Sequence, residues 1–262
     1  MLLSSHRGGG TFKEISISEN CAEHHVTNAM ERNGFTLAEV LITLGIIGIV
    51  AALTMPTLIT NIKNKGYVEK LKKSYSLISQ VTSLVSEELG IEPAFWVFSL
   101  YYDGDDNDTL NRNIIDAYKK HFKVVGDYTD TYLDYMISHS DISYRYLNGE
   151  TNANAFYTSA GLFHVAYVIE VADGSTIGFV FSNNKRGGVL WTLIEKNINL
   201  AFIVDVNGTA KPNQIGRDIF WFILNKNGQI LPYGANDTSD CTTAGKGYSC
   251  AAKIINEGQM NY

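Results

Sequence analysis

The longest apolar stretch of the chain runs from Phe35 to Met55. Its polar members are one acid, Glu39, and three threonines. A membrane-spanning helix needs about 20 predominantly apolar residues, so the pattern predicts a transmembrane helix over residues 35–56. A carboxylate within such a segment is costly in lipid, which makes Glu39 a candidate functional residue.

Beyond Pro56 the apolar positions recur at steps of three and four residues, as they do on one face of a helix. These positions are Leu71, Tyr75, Ile78, Val81 and Val85. The other faces carry Lys63, Lys65, Lys70, Lys72 and Lys73. We expect residues 57–89 to continue the first helix, with a kink at Pro56 because proline lacks a backbone donor. A helix from Phe35 to Leu89 would be about 80 Å long, so its second half must pack on a soluble domain.

Residues 90–162 show a mixed pattern and are interpreted as a connector. The acidic stretch Asp103–Asp108 predicts a solvated turn. The residues that follow it, TLNRNIIDAYKKHF, predict a short helix.

From residue 163 to residue 262 the pattern is that of a β-domain. Asp173-Gly174 and Asn227-Gly228 each lie between two apolar runs, which is a strong hairpin signal. A further strand is predicted by LAFIVDVNG. The expected fold is therefore α+β, with the long helix packed on an antiparallel sheet of four to five strands.

The net charge of −6 and the lack of a basic stripe argue against nucleic acid as the main partner. No sequence motif of a hydrolase, metalloprotease or phosphate-binding loop occurs, so an enzyme is not expected. The three histidines that follow the apolar run, His121, His139 and His164, are scattered. The large aromatic residues are expected to fill the helix–sheet core, namely Trp96, Trp191, Trp221 and Phe222.

Three cysteines occur, and two of them lie close together near the end of the chain. Cys241 and Cys250 bracket a glycine-rich loop, whereas Cys21 lies upstream of the apolar run. If this part of the chain is exported, we expect a Cys241–Cys250 disulfide; in a reducing cytosol the two thiols would stay free. No CxxC pair supports a zinc site.

The segment Asp205–Asp218 begins with oxygen-bearing side chains at Asp205, Asn207 and Thr209, as a calcium loop does. Its later spacing does not match, because Gly208 comes too early and no glutamate follows in the bidentate position. We therefore expect a polar turn between strands and no cofactor, with calcium as the open alternative.

Residues 1–29 are polar and aperiodic, an unusual prelude to a targeting segment. Met30 begins a compact polar leader directly before Phe35. We expect residues 1–34 to be a leader and the translation start to be Met30.

The ordered set Gly34-Phe35-Thr36-Leu37-Ala38-Glu39, followed by the apolar run and Pro56, resembles the processing signal of type IV pilins and type II secretion pseudopilins. The resemblance implies removal of the leader by a membrane prepilin peptidase that cleaves after Gly34. It also implies N-methylation of the new N-terminus at Phe35. Glu39 would then pair with the Phe35 amine of a neighbouring subunit, an attraction that is strong where the dielectric constant is low.

The resemblance also implies partners and a location. The partners would be the prepilin peptidase, other pilin or pseudopilin subunits, the assembly machinery of the bacterial inner membrane, and membrane lipid before assembly. The anchor would be single-pass with a cytoplasmic N-terminus, and the β-domain would end in a periplasmic or extracellular filament.

The charges flanking the apolar run do not by themselves predict this orientation. Only Arg32 lies on the cytoplasmic side, and the lysines after Pro56 would lie outside, contrary to the positive-inside bias. Gly45 and Gly48, with Ala51 and Ala52, are small enough for close helix packing in lipid, although they form no GxxxG motif.

The sequence thus favours a prepilin-like structural subunit of a pilus or a pseudopilus. The alternative is a monomeric membrane-anchored adhesin or receptor that exposes the β-domain.

Overall fold

The computed structural model describes residues 34–96, 107–128, 141–152, 165–181, 198–225 and 227–262. The chain divides into two compact units, residues 1–51 and 52–262. Several predicted features lie outside the described residues: the leader before Gly34, Cys21, Arg32, Asp103, Asp105, Asp106, His139, His164 and Trp191.

Helix α1 runs from Leu37 to Leu89 and passes through Pro56 without interruption. It is long and apolar enough to cross a membrane. Its large apolar side chains from Leu37 to Ile62 are exposed. Burial begins at Tyr67 and continues along one face through Leu71, Ile78, Val81 and Val85. One face of α1 is therefore buried between Tyr67 and Val85.

Within the described residues, the sheet of the second unit has six antiparallel strands. In spatial order they are β1 (Val124–Tyr128), β4 (Val165–Val171), β5 (Thr176–Phe181), β6 (Ile198–Asp205), β7 (Ile219–Asn225) and β8 (Ile230–Pro232). Strands β4 to β8 form a meander of consecutive neighbours, and β1 pairs with β4. The α+β fold is confirmed. The strand count exceeds the expected four to five because β1 comes from the segment interpreted as a connector.

Both faces of the sheet are buried, which the sequence pattern did not predict. One face, with Phe179, Phe202 and Phe222, packs in a core with the buried side of α1. The opposite face, with Ile203 and Trp221, forms a second core. Adjacent residues of a strand point to opposite faces, so Phe222 fills the helix–sheet core as expected. Trp221 does not, because it lies on the other face.

Residues of the predicted connector cover the second face. Strands β2 (Tyr144–Arg145) and β3 (Thr151–Asn152) form a small separate hairpin. Tyr144 belongs to the second core, together with Tyr248 near the end of the chain. Side chains from outside the meander therefore help to cover this face.

Helix α2, Asn107–His121, matches the predicted short helix. It begins inside the stretch expected to be an acidic turn, because Asn107 and Asp108 are already helical. Ile114, Ile115 and Tyr118 are buried in the helix–sheet core beside Trp96, which follows a 3₁₀ turn at Pro93–Phe95. His121 lies 3.2 Å from the Glu88 carboxylate and forms a surface ion pair when protonated.

The outer edge of β8 is closed by two different groups. Tyr75 on α1 donates its hydroxyl hydrogen bond to the Ile230 carbonyl at 3.3 Å. Pro232 has no backbone N–H to offer a further strand. A third helix, α3 (Cys250–Glu257), follows and buries Cys250, Ala251 and Ile254 in the helix–sheet core.

Candidate processing and assembly site

The predicted cleavage junction lies immediately before α1. Gly34 and Phe35 are exposed and belong to no helix or strand. A side chain added at Gly34 would meet nothing within 4 Å, and Phe35 is 87% exposed. A peptidase could therefore approach this bond without unfolding the described part of the first unit.

Thr36 and Glu39 are hydrogen-bonded to each other at the start of α1. The Glu39 carboxylate accepts hydrogen bonds from the Thr36 backbone N–H and hydroxyl, both at 2.8 Å. The Thr36 hydroxyl oxygen accepts the Glu39 backbone N–H at 3.2 Å. This reciprocal arrangement is a capping box, which satisfies donors that the first helical turn leaves unpaired.

The apolar pattern pointed to Glu39 as a functional residue but not to Thr36. The signal was present, because a threonine followed three residues later by a glutamate is the capping-box pattern. The structure therefore gives Glu39 a local role within its own chain, in addition to the role between subunits that the resemblance implies.

The side chains around the first turns of α1 leave its surface open. Leu41, Ile42 and Leu44 are exposed, and a side chain added at Gly45 or Gly48 would meet nothing within 4 Å. An exposed apolar surface of this extent requires lipid or other apolar helices around it.

The loop between β6 and β7 brings two buried carboxylates together. Asp205 is 2% exposed and Asp218 is fully buried. Burial raises the pKa of Asp205 well above its ordinary value, and the nearby Asp218 charge raises it further. Burial also raises the pKa of Asp218, to about 6. Sequence reasoning could not find this pair as such, because the proximity of the two side chains depends on the loop fold.

Backbone N–H groups of the same loop donate hydrogen bonds to both carboxylates. Asp218 accepts the N–H groups of Asn213 at 2.8 Å and Gln214 at 2.6 Å, one on each oxygen. Asp205 accepts the Asn207 N–H at 3.1 Å. These bonds close the loop from within, as expected for a polar turn.

Calcium takes six to eight oxygen ligands, usually with several carboxylates. Within the described ranges no three His, Cys, Asp or Glu side chains form a group that could hold a metal ion. The side-chain oxygens of Asn207 and Asn213 are buried without a hydrogen-bond partner, but the two acids are already bound by their own loop. The two acids alone do not make up such a ligand set, and the polar turn without a cofactor stays a prediction for this loop, with calcium as its alternative.

Cys241 and Cys250 form a disulfide, and both cysteines are fully buried. Asp240 directly precedes this disulfide loop, and its carboxylate accepts the backbone N–H groups of two loop residues, Lys246 at 2.8 Å and Tyr248 at 2.7 Å. The loop is thus fixed by one covalent bond and by one carboxylate.

A groove of about 510 Å³ lies between α1 and the turn that joins β7 to β8. Its helical wall carries Ser79, Thr82 and Ser83, whose hydroxyls donate to carbonyls four residues earlier in α1. These three hydroxyl groups thus donate their protons within the helix. The residues that line the groove include no acid, histidine or cysteine.

Comparison with known proteins finds one family match. The family model described as the prokaryotic N-terminal methylation motif matches residues 30–55. This match contains the Gly34–Phe35 junction, the Thr36–Glu39 capping box and the exposed start of α1. No curated protein and no solved structure matches the chain.

Proposed function

Because residues 30–55 carry the prokaryotic N-terminal methylation motif, the signal of type IV pilins and pseudopilins, we propose that the chain is a prepilin-like structural subunit. It is cleaved after Gly34, N-methylated at Phe35 and assembled into a type IV pilus or a type II secretion pseudopilus. The proteins that carry this motif are structural, and we propose a structural rather than an enzymatic role here.

Three features support the proposal: the exposed Gly34–Phe35 junction, the exposed apolar surface of the following helix, and the position of Glu39 in its first turn. Before assembly the apolar surface lies in lipid as a single-pass inner-membrane anchor with a cytoplasmic N-terminus. In the filament it is buried against the helices of other subunits, and the β-domain faces outward.

Charge pairing gives the assembly its register. Cleavage creates a cationic amine at Phe35, and Glu39 of a neighbouring subunit supplies the opposite charge. Two such charges in lipid attract strongly, and an unmatched carboxylate there is costly. The partners are the prepilin peptidase, other subunits of the filament and the inner-membrane assembly machinery.

Processing is the direct test. Co-expression with a prepilin peptidase should give a product whose intact mass corresponds to a chain starting at N-methylated Phe35. Gly34→Leu should block this product, because the peptidase requires a small residue before the bond. An uncleaved wild-type chain in the presence of an active peptidase would contradict the proposal.

Assembly separates the proposal from a monomeric membrane-anchored adhesin or receptor. Crosslinking in cells and shearing of surface filaments should recover ladders of the cleaved chain. A cleaved chain that stays monomeric in the membrane would favour the anchored binding protein.

A further inference from the structure

The turns of α1 that follow the apolar run are strongly basic. Between residues 57 and 73 there are five lysines and a single acid, Glu69, in a chain whose net charge is −6. Lys63 and Lys65 are the first two of these lysines, and both are exposed. They directly follow Ile62, the last of the exposed apolar side chains at this end of the helix.

The loop between β6 and β7 adds two cations beside the same turns. Arg217 donates to the Asn64 side-chain oxygen at 3.2 and 3.3 Å. The Tyr67 hydroxyl donates to the Lys211 carbonyl at 3.5 Å, and the Lys211 side chain is exposed. The β6–β7 loop therefore places the Arg217 side chain and the backbone of Lys211 beside residues 63–67 of α1. We call Lys63, Lys65, Lys211 and Arg217 the basic collar.

Among the described residues, acids do not neutralise the lysines of this collar. In the part of the chain that the structure describes, no acid forms an ion pair with Lys63, Lys65 or Lys211. The nearest loop carboxylates, Asp205 and Asp218, are buried and bound by backbone donors. By contrast, the more distal Lys73 pairs with Asp173 at 2.7 Å, and Lys70 donates to the Val206 carbonyl at 3.0 Å.

The depth of the collar matches the headgroup layer of a membrane. Lys63 follows Pro56 by seven residues, which is about 10 Å along a helix. A bilayer has a hydrocarbon core of about 30 Å and a total thickness of about 40–45 Å, which leaves about 5–7 Å of headgroups on each side. A helix that leaves the core near Pro56 therefore carries Lys63 to the outer edge of the headgroup layer. Flexible lysine stems place their ammonium groups at phosphate level from such positions.

We propose that the basic collar binds the phosphate groups of anionic phospholipids on the non-cytoplasmic leaflet while the subunit is still anchored. This inference rests on the proposed membrane anchoring of residues 35–56. It accounts for lysines on the side of the membrane where the positive-inside bias disfavours them. The collar fixes the depth of the β-domain at the membrane, and it must release its lipids when the subunit enters a filament.

Lysine reactivity of the full chain in lipid nanodiscs tests the proposal. One set of discs contains phosphatidylcholine only, and the other contains one part phosphatidylglycerol to two parts phosphatidylcholine. After a short acetic anhydride pulse, mass spectrometry gives the acetylation rate of each lysine. Lys63, Lys65 and Lys211 should react about threefold more slowly in the anionic discs, and high salt should abolish most of this difference. The exposed Lys123 is the internal control and should react equally in both.

Matched variants add a second readout. When membranes of mixed lipid are extracted with a styrene–maleic acid polymer, phosphatidylglycerol should be enriched around the wild-type chain. The double variant Lys63→Gln with Lys65→Gln should lose most of this enrichment, and Lys123→Gln should keep it. Equal enrichment in both variants would overturn the proposal.

The remaining outcomes are distinct. A chain that fails to enter discs of either lipid would contradict the proposed anchor. A chain that enters both with equal lysine reactivity would overturn the lipid-binding role of the collar alone.

Two further results would assign the collar to another ligand. Protection of the lysines in neutral discs on adding inorganic phosphate would assign the collar to a free anion. Protection that depends on the number of chains per disc, and not on lipid, would assign it to contacts between copies. Either of these last results would also overturn the lipid proposal.

Discussion

The Tyr118 hydroxyl of α2 donates a buried hydrogen bond to the Thr82 hydroxyl of α1 at 2.7 Å. The direction follows from the second bond of Thr82, whose own proton goes to the Ile78 carbonyl at 2.7 Å. Tyr118 is fully buried and packs against Phe122, Phe179 and Phe202. This bond therefore ties α2 to α1 in the centre of the helix–sheet core.

The two ends of this bond should respond differently to mutation. Tyr118→Phe removes the donor but leaves the Thr82 hydroxyl bound to Ile78, so it should cost about 1 kcal/mol of unfolding free energy. Thr82→Val leaves the buried tyrosine hydroxyl without its acceptor and should cost about 2–3 kcal/mol. Denaturant unfolding of the full chain in detergent, followed by tryptophan fluorescence, measures both. An equal or reversed order would contradict the assigned direction.

Substitutions at Glu39 should separate helix capping from charge pairing. Glu39→Gln keeps an N3 side chain that can complete the capping box but removes the charge, whereas Glu39→Ala removes both. Both variants should still be cleaved after Gly34. If charge pairing sets the register, both should give few sheared filaments relative to wild type.

Thr36→Val is the matched control for the capping box. It should destabilise the start of α1 by about 1 kcal/mol while leaving the Glu39 charge intact, and filaments should still form. Normal filament yield from Glu39→Gln together with poor yield from Glu39→Ala and Thr36→Val would show that the cap matters for assembly, and not the charge.

The Asp205–Asp218 pair should make the β-domain more stable in mild acid. Both carboxyl groups have a pKa raised in the folded state, that of Asp218 to about 6. Stability from such groups is present at low pH and is lost as the pH rises through the folded pKa. Unfolding free energy should therefore be higher at pH 5 than at pH 8, by about 1–2 kcal/mol from Asp218 alone. Lys73 and Ser175 hold the pKa of Asp173 below its ordinary value of 3.8, so its contribution does not change in this window.

Asp205→Asn tests the origin of this pH dependence. It keeps an oxygen for the Asn207 N–H and removes one of the two buried charges, so the difference between pH 5 and pH 8 should shrink. If the difference in unfolding free energy between pH 5 and pH 8 is unchanged in this variant, the pH dependence arises from other groups. Added calcium should leave the melting temperature at pH 8 unchanged, and a calcium-dependent rise would show that the pair holds a cation.

Reduction of the Cys241–Cys250 disulfide should lower the unfolding free energy by about 2–3 kcal/mol, because the closed loop is short. Melting curves of the full chain with and without dithiothreitol give the difference. The double variant Cys241→Ala with Cys250→Ala should melt like the reduced protein and should not respond to dithiothreitol. A response of this variant would show that the reductant acts elsewhere.

The elements that the sequence predicted well are those with a local signal. The buried face of α1 followed from apolar spacing, and the β4–β5 hairpin followed from Asp173-Gly174. These features depend on a few consecutive residues, so tertiary packing had little opportunity to override them.

The elements that the sequence analysis missed depend on distant partners or carry weak patterns. Strand β1 is a short edge strand with an internal glycine, and its side chains are only partly buried or exposed. Helix α3 lies in the stretch interpreted only as a C-terminal cysteine loop, although Gly258 marks its end with a positive φ of 69°. The second core could not be foreseen, because Trp221 and Tyr248 are brought together only by the complete sheet.

The closed edge of β8 limits how copies of this protein can meet. A chain held in a membrane or a filament is locally concentrated, and an open strand edge under those conditions recruits the strands of its neighbours. With the Tyr75 hydroxyl on the Ile230 carbonyl and a proline at residue 232, this edge does not offer continuous backbone pairing. Copies that meet there do so through side chains, and in the proposed filament ordered polymerisation is left to the apolar helix.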